Sequence, residues 1–100
     1  MGPQLDVTWD PNKARRNLAK HRVSFAHGAS VLLDPHALTV FDETHSEDEE
    51  RWFTLGLAND GALLAVSHTY RVTGPDSAQV RVISARTATR RERDQYHASR

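Results

Sequence analysis

Apolar and polar residues follow two periods along this chain, and the switches between them mark its elements. Leu5-Asp6-Val7-Thr8-Trp9 alternates at every second residue, which predicts a half-buried strand. Asp10 and Pro11 then suit the N-cap and first position of a helix. That helix is expected to run to about Lys20 or His21, with Ala14, Leu18 and His21 on its inner stripe. Ser24 can cap a second, shorter helix reaching about Leu33, with Phe25, Ala29, Leu32 and Leu33 turned to the core; Asp34-Pro35 ends it. The period returns to two in Leu38-Thr39-Val40-Phe41, in Trp52 to Leu57, in Ala62 to Tyr70, and in Gln79 to Ala85 or Arg86. Asn59-Asp60-Gly61 is a strong hairpin turn, and Gly74-Pro75-Asp76 reads as a loop. Thr89 and Glu92 form a T-x-x-E capping box that opens a last helix to about Ala98.

The order is β-α-α-β-β-β-β-α. Strands in succession with short links imply an antiparallel sheet, and the first two helices are expected to cover one of its faces, an α+β architecture. One hundred residues make one domain, taken as residues 1–100, with no internal repeat to divide it. The absence of cysteine excludes disulfides and thiolate metal sites. No apolar run approaches the ~18 residues of a membrane span, and the polar start MGPQLD lacks a signal-peptide pattern, so a cytoplasmic location is expected.

Charge changes the picture through its distribution. Thirteen basic and thirteen acidic side chains cancel, which argues against a simple nucleic-acid binder. Six of the acids, however, lie between residues 42 and 50 (Asp42, Glu43, Glu47, Asp48, Glu49, Glu50), leaving thirteen basic against seven acidic residues elsewhere. The densest basic segment is VRVISARTATRRERDQY, residues 80–96, where a strand runs into a helix. It carries Arg81, Arg86, Arg90, Arg91 and Arg93. Guanidinium matches phosphate because its planar fork donates parallel hydrogen bonds and stays charged. The corner therefore suits a phosphodiester.

Two segments together resemble the BrnT family, ribonuclease toxins of bacterial type II toxin–antitoxin systems. The first is WDPNKARRNLAKHRVSF (9–25), with Trp9, Asp10, Lys13, Asn17, Lys20 and His21 in register; the second is VRVISAR (80–86) with its following helix. The resemblance covers nearly the whole chain. It departs at Arg22, where the family usually has glycine, and in a longer loop after Arg71. It implies a RelE-like fold, RNA cleavage that inhibits growth, and neutralisation by a cognate DNA-binding antitoxin (BrnA-like) encoded nearby. It further implies a toxin homodimer within a heterotetramer.

RNA cleavage without metal or cofactor needs a base for the 2′-hydroxyl, an acid for the leaving 5′-oxygen, and cations around the phosphorane. Arg51, Arg71, Arg81 and Arg86 lie in strands or at strand ends, where a sheet can aim them. His68 is the one histidine inside an expected strand, and an imidazole suits proton transfer near neutrality. The catalytic candidates are thus Arg81, Arg86, His68 and Arg51, with Lys20, His21, Arg71 and Arg90 as RNA contacts. Each has a plainer reading. His68 shares a face with Leu64 and Val66 and could be a core histidine; Lys20 and His21 suit a helix C-terminus; Arg90, Arg91 and Arg93 could be a solvated helix face; Arg51 could pair with Glu47 or Glu50. Arg81, alone among apolar strand residues, is hardest to explain structurally. Its spacing from Arg86 sends the two to opposite faces of a regular strand, so both serve one site only across a bulge or a strand end. The six histidines show no metal-ligand spacing. The competing function is a non-catalytic, antitoxin-binding regulatory module.

Overall fold

The computed structural model describes residues 4–46 and 49–99; Glu47, one of the partners expected for Arg51, lies outside them. The elements are β1 (Gln4–Trp9), α1 (Pro11–His21), α2 (Phe25–Ala29), a 3-10 turn (Ser30–Leu33), β2 (Leu38–Phe41), a second 3-10 turn (Glu43–His45), β3 (Arg51–Leu57), β4 (Leu63–Thr69), β5 (Arg71–Gly74), β6 (Ser77–Thr87) and α3 (Arg90–Ala98). The strands form a six-stranded sheet in the order β1-β6-β4-β3-β2, with β5 also paired to β6. β1 runs parallel to β6, and every other pairing is antiparallel.

Local chemistry sets the helix ends. Asp10 Oδ1 accepts from the Asn12 N–H at 2.8 Å, and Ser24 Oγ accepts from the His27 N–H at 3.0 Å. α1 stops at Arg22, which takes the left-handed conformation (φ 60°) and donates its N–H to the Leu18 carbonyl. The inner stripe of α1 differs from the expected one: Asn17 is buried and Leu18 is exposed. Asn17 earns no hydrophobic energy there but satisfies backbone groups, its Nδ2 donating to the Val23 and Ala85 carbonyls at 2.9 and 2.8 Å and its Oδ1 accepting from the Ala85 N–H at 3.2 Å. The second helix also ends sooner than expected. Gly28 is buried within α2, and the change to 3-10 winding at Ser30 then rephases the chain, burying Val31 and leaving Leu33 80% exposed. A Cβ on Gly28 would meet Ala85 Cβ at 2.7 Å, so only glycine lets α2 approach β6 this closely.

Two hydrophobic layers result. α1 and α2 cover one face of the sheet, where Val23, Phe25 and Val31 pack with Leu64, Val66, Val82 and Ala85. On the opposite face Tyr96 of α3 packs with Leu55, Leu63 and Ala65. Burying a Phe25 or Leu64 side chain contributes roughly 1.5–3 kcal/mol. The expectation of helices on one face holds for α1 and α2. The segment expected as a loop after Arg71 contains β5, making six strands where the pattern predicts five.

Candidate functional site

The site begins with an irregularity in β6. Ser67 pairs with Ser84 but the next residue, His68, pairs with Val82, so Ile83 is left over between them. This bulge inverts the alternation of the strand. Val82 and Ala85, three apart, therefore enter the same core layer beneath α1 and α2. Arg81 and Arg86, five apart, accordingly both project from the other face. Arg71 and Thr8 join them there through their pairings with Gln79 and Arg81, and Arg51 through its pairing with Thr69. The structure thus brings together Arg51, Arg71, Arg81 and Arg86 on the sheet face that α3 covers at one end. Arg81 and Arg86 lie roughly 15 Å apart along the strand, so the row suits a stretch of polyanion better than one isolated phosphate.

A cleft of about 460 Å³ opens at the Arg81 end, lined by Thr8, Glu49, Glu50, Thr69, Tyr70, Arg71, Gln79 and Arg81. The Arg81 backbone N–H donates to Thr69 Oγ1 at 3.0 Å, which locks this part of β6 to the end of β4. The Arg81 guanidinium pairs with Glu49, both side chains being about two-fifths exposed (43% and 39%). An ion pair that open to water adds only ~0–1 kcal/mol, so a phosphate can displace Glu49 at little cost. Arg71 Nη2 donates to Gln79 Oε1 at 2.7 Å.

Arg86 stands at the other end of the row. Its Nη1 and Nη2 donate to Glu92 Oε1 and Oε2 at 2.7 and 2.9 Å, and its Cζ lies 5.9 Å from the centre of the Phe53 ring. The hydrogen bonds from Arg86 bring the Glu92 carboxyl down from 4.5 to about 2. The same hydrogen bonds raise Arg86, so both groups stay charged across the physiological range. Arg51 opens β3 and has no ion pair among the described residues; its Nε is buried without a hydrogen-bond partner.

His68 is not brought to this face. It pairs with Val82 and Trp52 on the α1–α2 side and is 1% exposed. Its Nδ1 lies 2.9 Å from the Thr69 carbonyl, which can only accept, so Nδ1 carries the proton. Nε2 then accepts from Thr54 Oγ1 at 2.7 Å, and Thr54 in turn accepts from the Thr39 hydroxyl at 2.8 Å. Burial lowers the pKa of His68, against a smaller opposing effect from its bond to Thr69. Both nitrogens are occupied in a neutral, internal network, so the arrangement offers no free lone pair for proton transfer. Lys20 and His21 end α1, in the layer behind the sheet. Arg90 opens α3 on the arginine side and is exposed.

Sequence reasoning did not single out Glu49, Tyr70 or Gln79 as site residues. Glu49 stands in an acidic run whose pattern gives no sign that one member reaches an arginine. Glu92 was legible as a cap, but its hold on Arg86 was not. Among the described residues, no three His, Cys, Asp or Glu side chains are arranged to hold a metal ion. Among the described residues, no helix is long and apolar enough to cross a membrane.

Comparison with known proteins follows the same direction. No curated protein matches the chain in sequence. The crystal structure of the Brucella abortus ribonuclease toxin BrnT is similar to it, with a TM-score of 0.60 and 26% identity over 87% of this chain and 99% of that one. The family model described as ribonuclease toxin, BrnT, of type II toxin-antitoxin system matches residues 9–92, the span from Trp9 through the arginine corner to Glu92. The chain belongs to the BrnT family of ribonuclease toxins of type II toxin–antitoxin systems.

Proposed function

We propose that this chain is an endoribonuclease that cuts RNA laid along the arginine-bearing face of its sheet, without a metal ion, and thereby arrests growth. The observation that carries the reading is the bulge at Ile83, which puts Arg81 and Arg86 on one face together with Arg51 and Arg71. In this mechanism the 2′-oxygen attacks the adjacent phosphorus and the 5′-oxygen leaves, giving a 2′,3′-cyclic phosphate and a 5′-hydroxyl. Guanidiniums fixed on the sheet stabilise the negative charge that grows on the phosphorane. Glu49 and Glu50 line the cleft; in this reading one of these carboxylates takes the 2′-hydroxyl proton, and the leaving 5′-oxygen takes its proton from solvent water. His68 has a structural role here, holding β3 and β4 together through Thr54.

As a member of a toxin–antitoxin family, the protein would act on cytoplasmic RNA and be neutralised by a cognate BrnA-like, DNA-binding antitoxin, as a toxin homodimer within a heterotetramer. The α1–α2 side offers an apolar groove for such assembly, lined in part by Leu5, Val7, Leu32, Leu33 and Pro35. The fold belongs with RelE-like ribonucleases in this reading.

The test is cleavage of end-labelled RNA by purified protein in EDTA. Cleavage should persist, yield cyclic-phosphate ends, and fall roughly 10²–10³-fold in Arg81→Ala, with growth arrest relieved in cells expressing that variant. Activity abolished by EDTA and restored by a divalent cation, or unchanged in both Arg81→Ala and Arg86→Ala, would overturn the reading. Tight RNA binding with no cleavage would instead support a non-catalytic, antitoxin-docking module.

A further inference from the structure

Glu92 receives hydrogen bonds from two sources, the N-cap of α3 and an arginine near the end of β6. Its Oε1 accepts from the Thr89 backbone N–H at 2.8 Å, which completes the capping box of α3, and also from Arg86 Nη1 at 2.7 Å. Its Oε2 accepts from Arg86 Nη2 at 2.9 Å. The returning half of the box runs from the Glu92 N–H to Thr89 Oγ1 at 3.1 Å. One carboxylate, 17% exposed, is therefore both the helix cap and the seat of an arginine. A capping box needs only one acceptor oxygen and is served equally by glutamine. The second oxygen and the full charge are surplus to capping.

The seat itself is rigid. Further along α3, Tyr96 is buried among Leu55, Leu63 and Ala65, and its hydroxyl donates to Asp34 Oδ2 at 2.5 Å. Asp34 Oδ2 also accepts from the Leu57 N–H at 2.8 Å, tying the helix to β3. Nor does the seat consume Arg86. A guanidinium has five N–H groups, and the fork to Glu92 takes one from each Nη, while Nη1 also reaches the Thr87 carbonyl at 3.3 Å. Among the described residues Nε–H and the second Nη2 hydrogen have no partner, and they sit on adjacent nitrogens that present a second fork.

We propose that Glu92 is a positioning residue that aims this remaining fork of Arg86 at an RNA phosphate passing over Phe53. The inference rests on the ribonuclease reading above. A carboxylate beside a phosphate-binding cation weakens the local positive potential, so its gain must come from orientation, which is felt in turnover.

The experiment compares Glu92→Gln, Thr89→Ala and Arg86→Ala with the wild type in RNA cleavage and thermal melting. Glu92→Gln keeps an oxygen for the cap but loses the charged, two-pronged hold on Arg86. Its kcat should fall roughly 10–100-fold, with KM within about threefold and melting temperature near wild type. Thr89→Ala removes the capping hydroxyl and leaves the Arg86 pair intact; it should melt lower yet keep kcat within about twofold. In NMR spectra the Arg86 Nη protons should be resolved and slow to rotate in the wild type and averaged in Glu92→Gln, a readout that does not depend on turnover. Wild-type kcat in Glu92→Gln while Arg86→Ala is inactive would overturn the positioning role and leave the ribonuclease intact. Loss of activity that tracks melting temperature in both Thr89→Ala and Glu92→Gln would reduce Glu92 to a cap and also overturn it. Full cleavage in both Arg86→Ala and Arg81→Ala would remove the arginine face as the site of cleavage, and no cleavage by the well-folded wild type would remove the ribonuclease reading itself.

Discussion

At the scale of single residues, Arg22 holds a backbone conformation that its side chain does not favour. Arg22 closes α1 at φ 60°, and its N–H reaches the Leu18 carbonyl at 2.9 Å. An L-residue with a Cβ pays about 1 kcal/mol in this region, where glycine pays almost nothing. Arg22→Gly should therefore raise stability by about 0.5–1 kcal/mol, less a few tenths for the lost helix-end charge. The urea midpoint of the variant would show it; an unchanged or lower midpoint would mean that contacts of the arginine chain offset the strain. The strain site was legible, because the family habit of glycine and the geometry of helix ends meet at that position. The bulge at Ile83 was not. Period-two reasoning assumes an unbroken register, and the break arises where the end of β4 slips against β6. Nothing within VRVISAR marks it, so the residues of the arginine site could be named from sequence while their shared face could not. His68, by contrast, was readable as a core histidine from its apolar neighbours Leu64 and Val66, and the structure puts it among them.

At the scale of elements, α1 is attached to the sheet by a polar side chain more than by apolar ones. Asn17 bridges the end of its own helix, at Val23, to both backbone groups of Ala85 in β6. The sequence pattern put Leu18 on the inner stripe because hydrophobicity was the criterion; a buried asparagine with all its partners on backbone is invisible to that criterion. Asn17→Ala would strand two carbonyls and an N–H in a dry layer. Each unsatisfied group costs roughly 1–3 kcal/mol, so a loss of about 2–4 kcal/mol is expected after partial relaxation, read as a lowered urea midpoint. Ala85 immediately precedes Arg86, so cleavage activity should drop further than the folded fraction alone explains. β5 escaped the sequence reading for a related reason. RVTG has one apolar residue and sits beside Gly-Pro, so its strand character comes from pairing with Ser77, Ala78 and Gln79 rather than from its own pattern. The capping box of α3, whose groups lie within four residues, was fully legible.

At the scale of the whole molecule, zero net charge conceals a division between two sheet faces. One carries the arginine row; the other carries the neutral Thr39–Thr54–His68 network under helices. The division makes stability depend on pH in two separate steps. His68 has a lowered pKa because burial disfavours its charged form, so below its ordinary 6.5 the unfolded chain binds a proton that the folded one resists. Stability should fall as pH drops from about 7 through 6. Glu92 is also lowered, to about 2 from 4.5, by the hydrogen bonds from Arg86. Its contribution is complete above 4.5 and is lost as pH falls toward 2; allowing for the partial exposure of Arg86, it amounts to about 1–2 kcal/mol. Urea unfolding at pH 7.5, 5.5, 4.5 and 3 should thus show an upper decline assignable to His68 and a lower one that Glu92 shares with Asp34 and Asp60, whose carboxyls are also lowered. The Glu92→Gln protein should keep the upper decline and show a shallower lower one, since it has no carboxylate at that position to protonate. A midpoint that stayed constant between pH 7.5 and 5.5 would contradict a neutral, internally bonded His68. It would return the imidazole to the pool of groups able to exchange protons at neutral pH, with direct consequences for which side chains can act as acid and base.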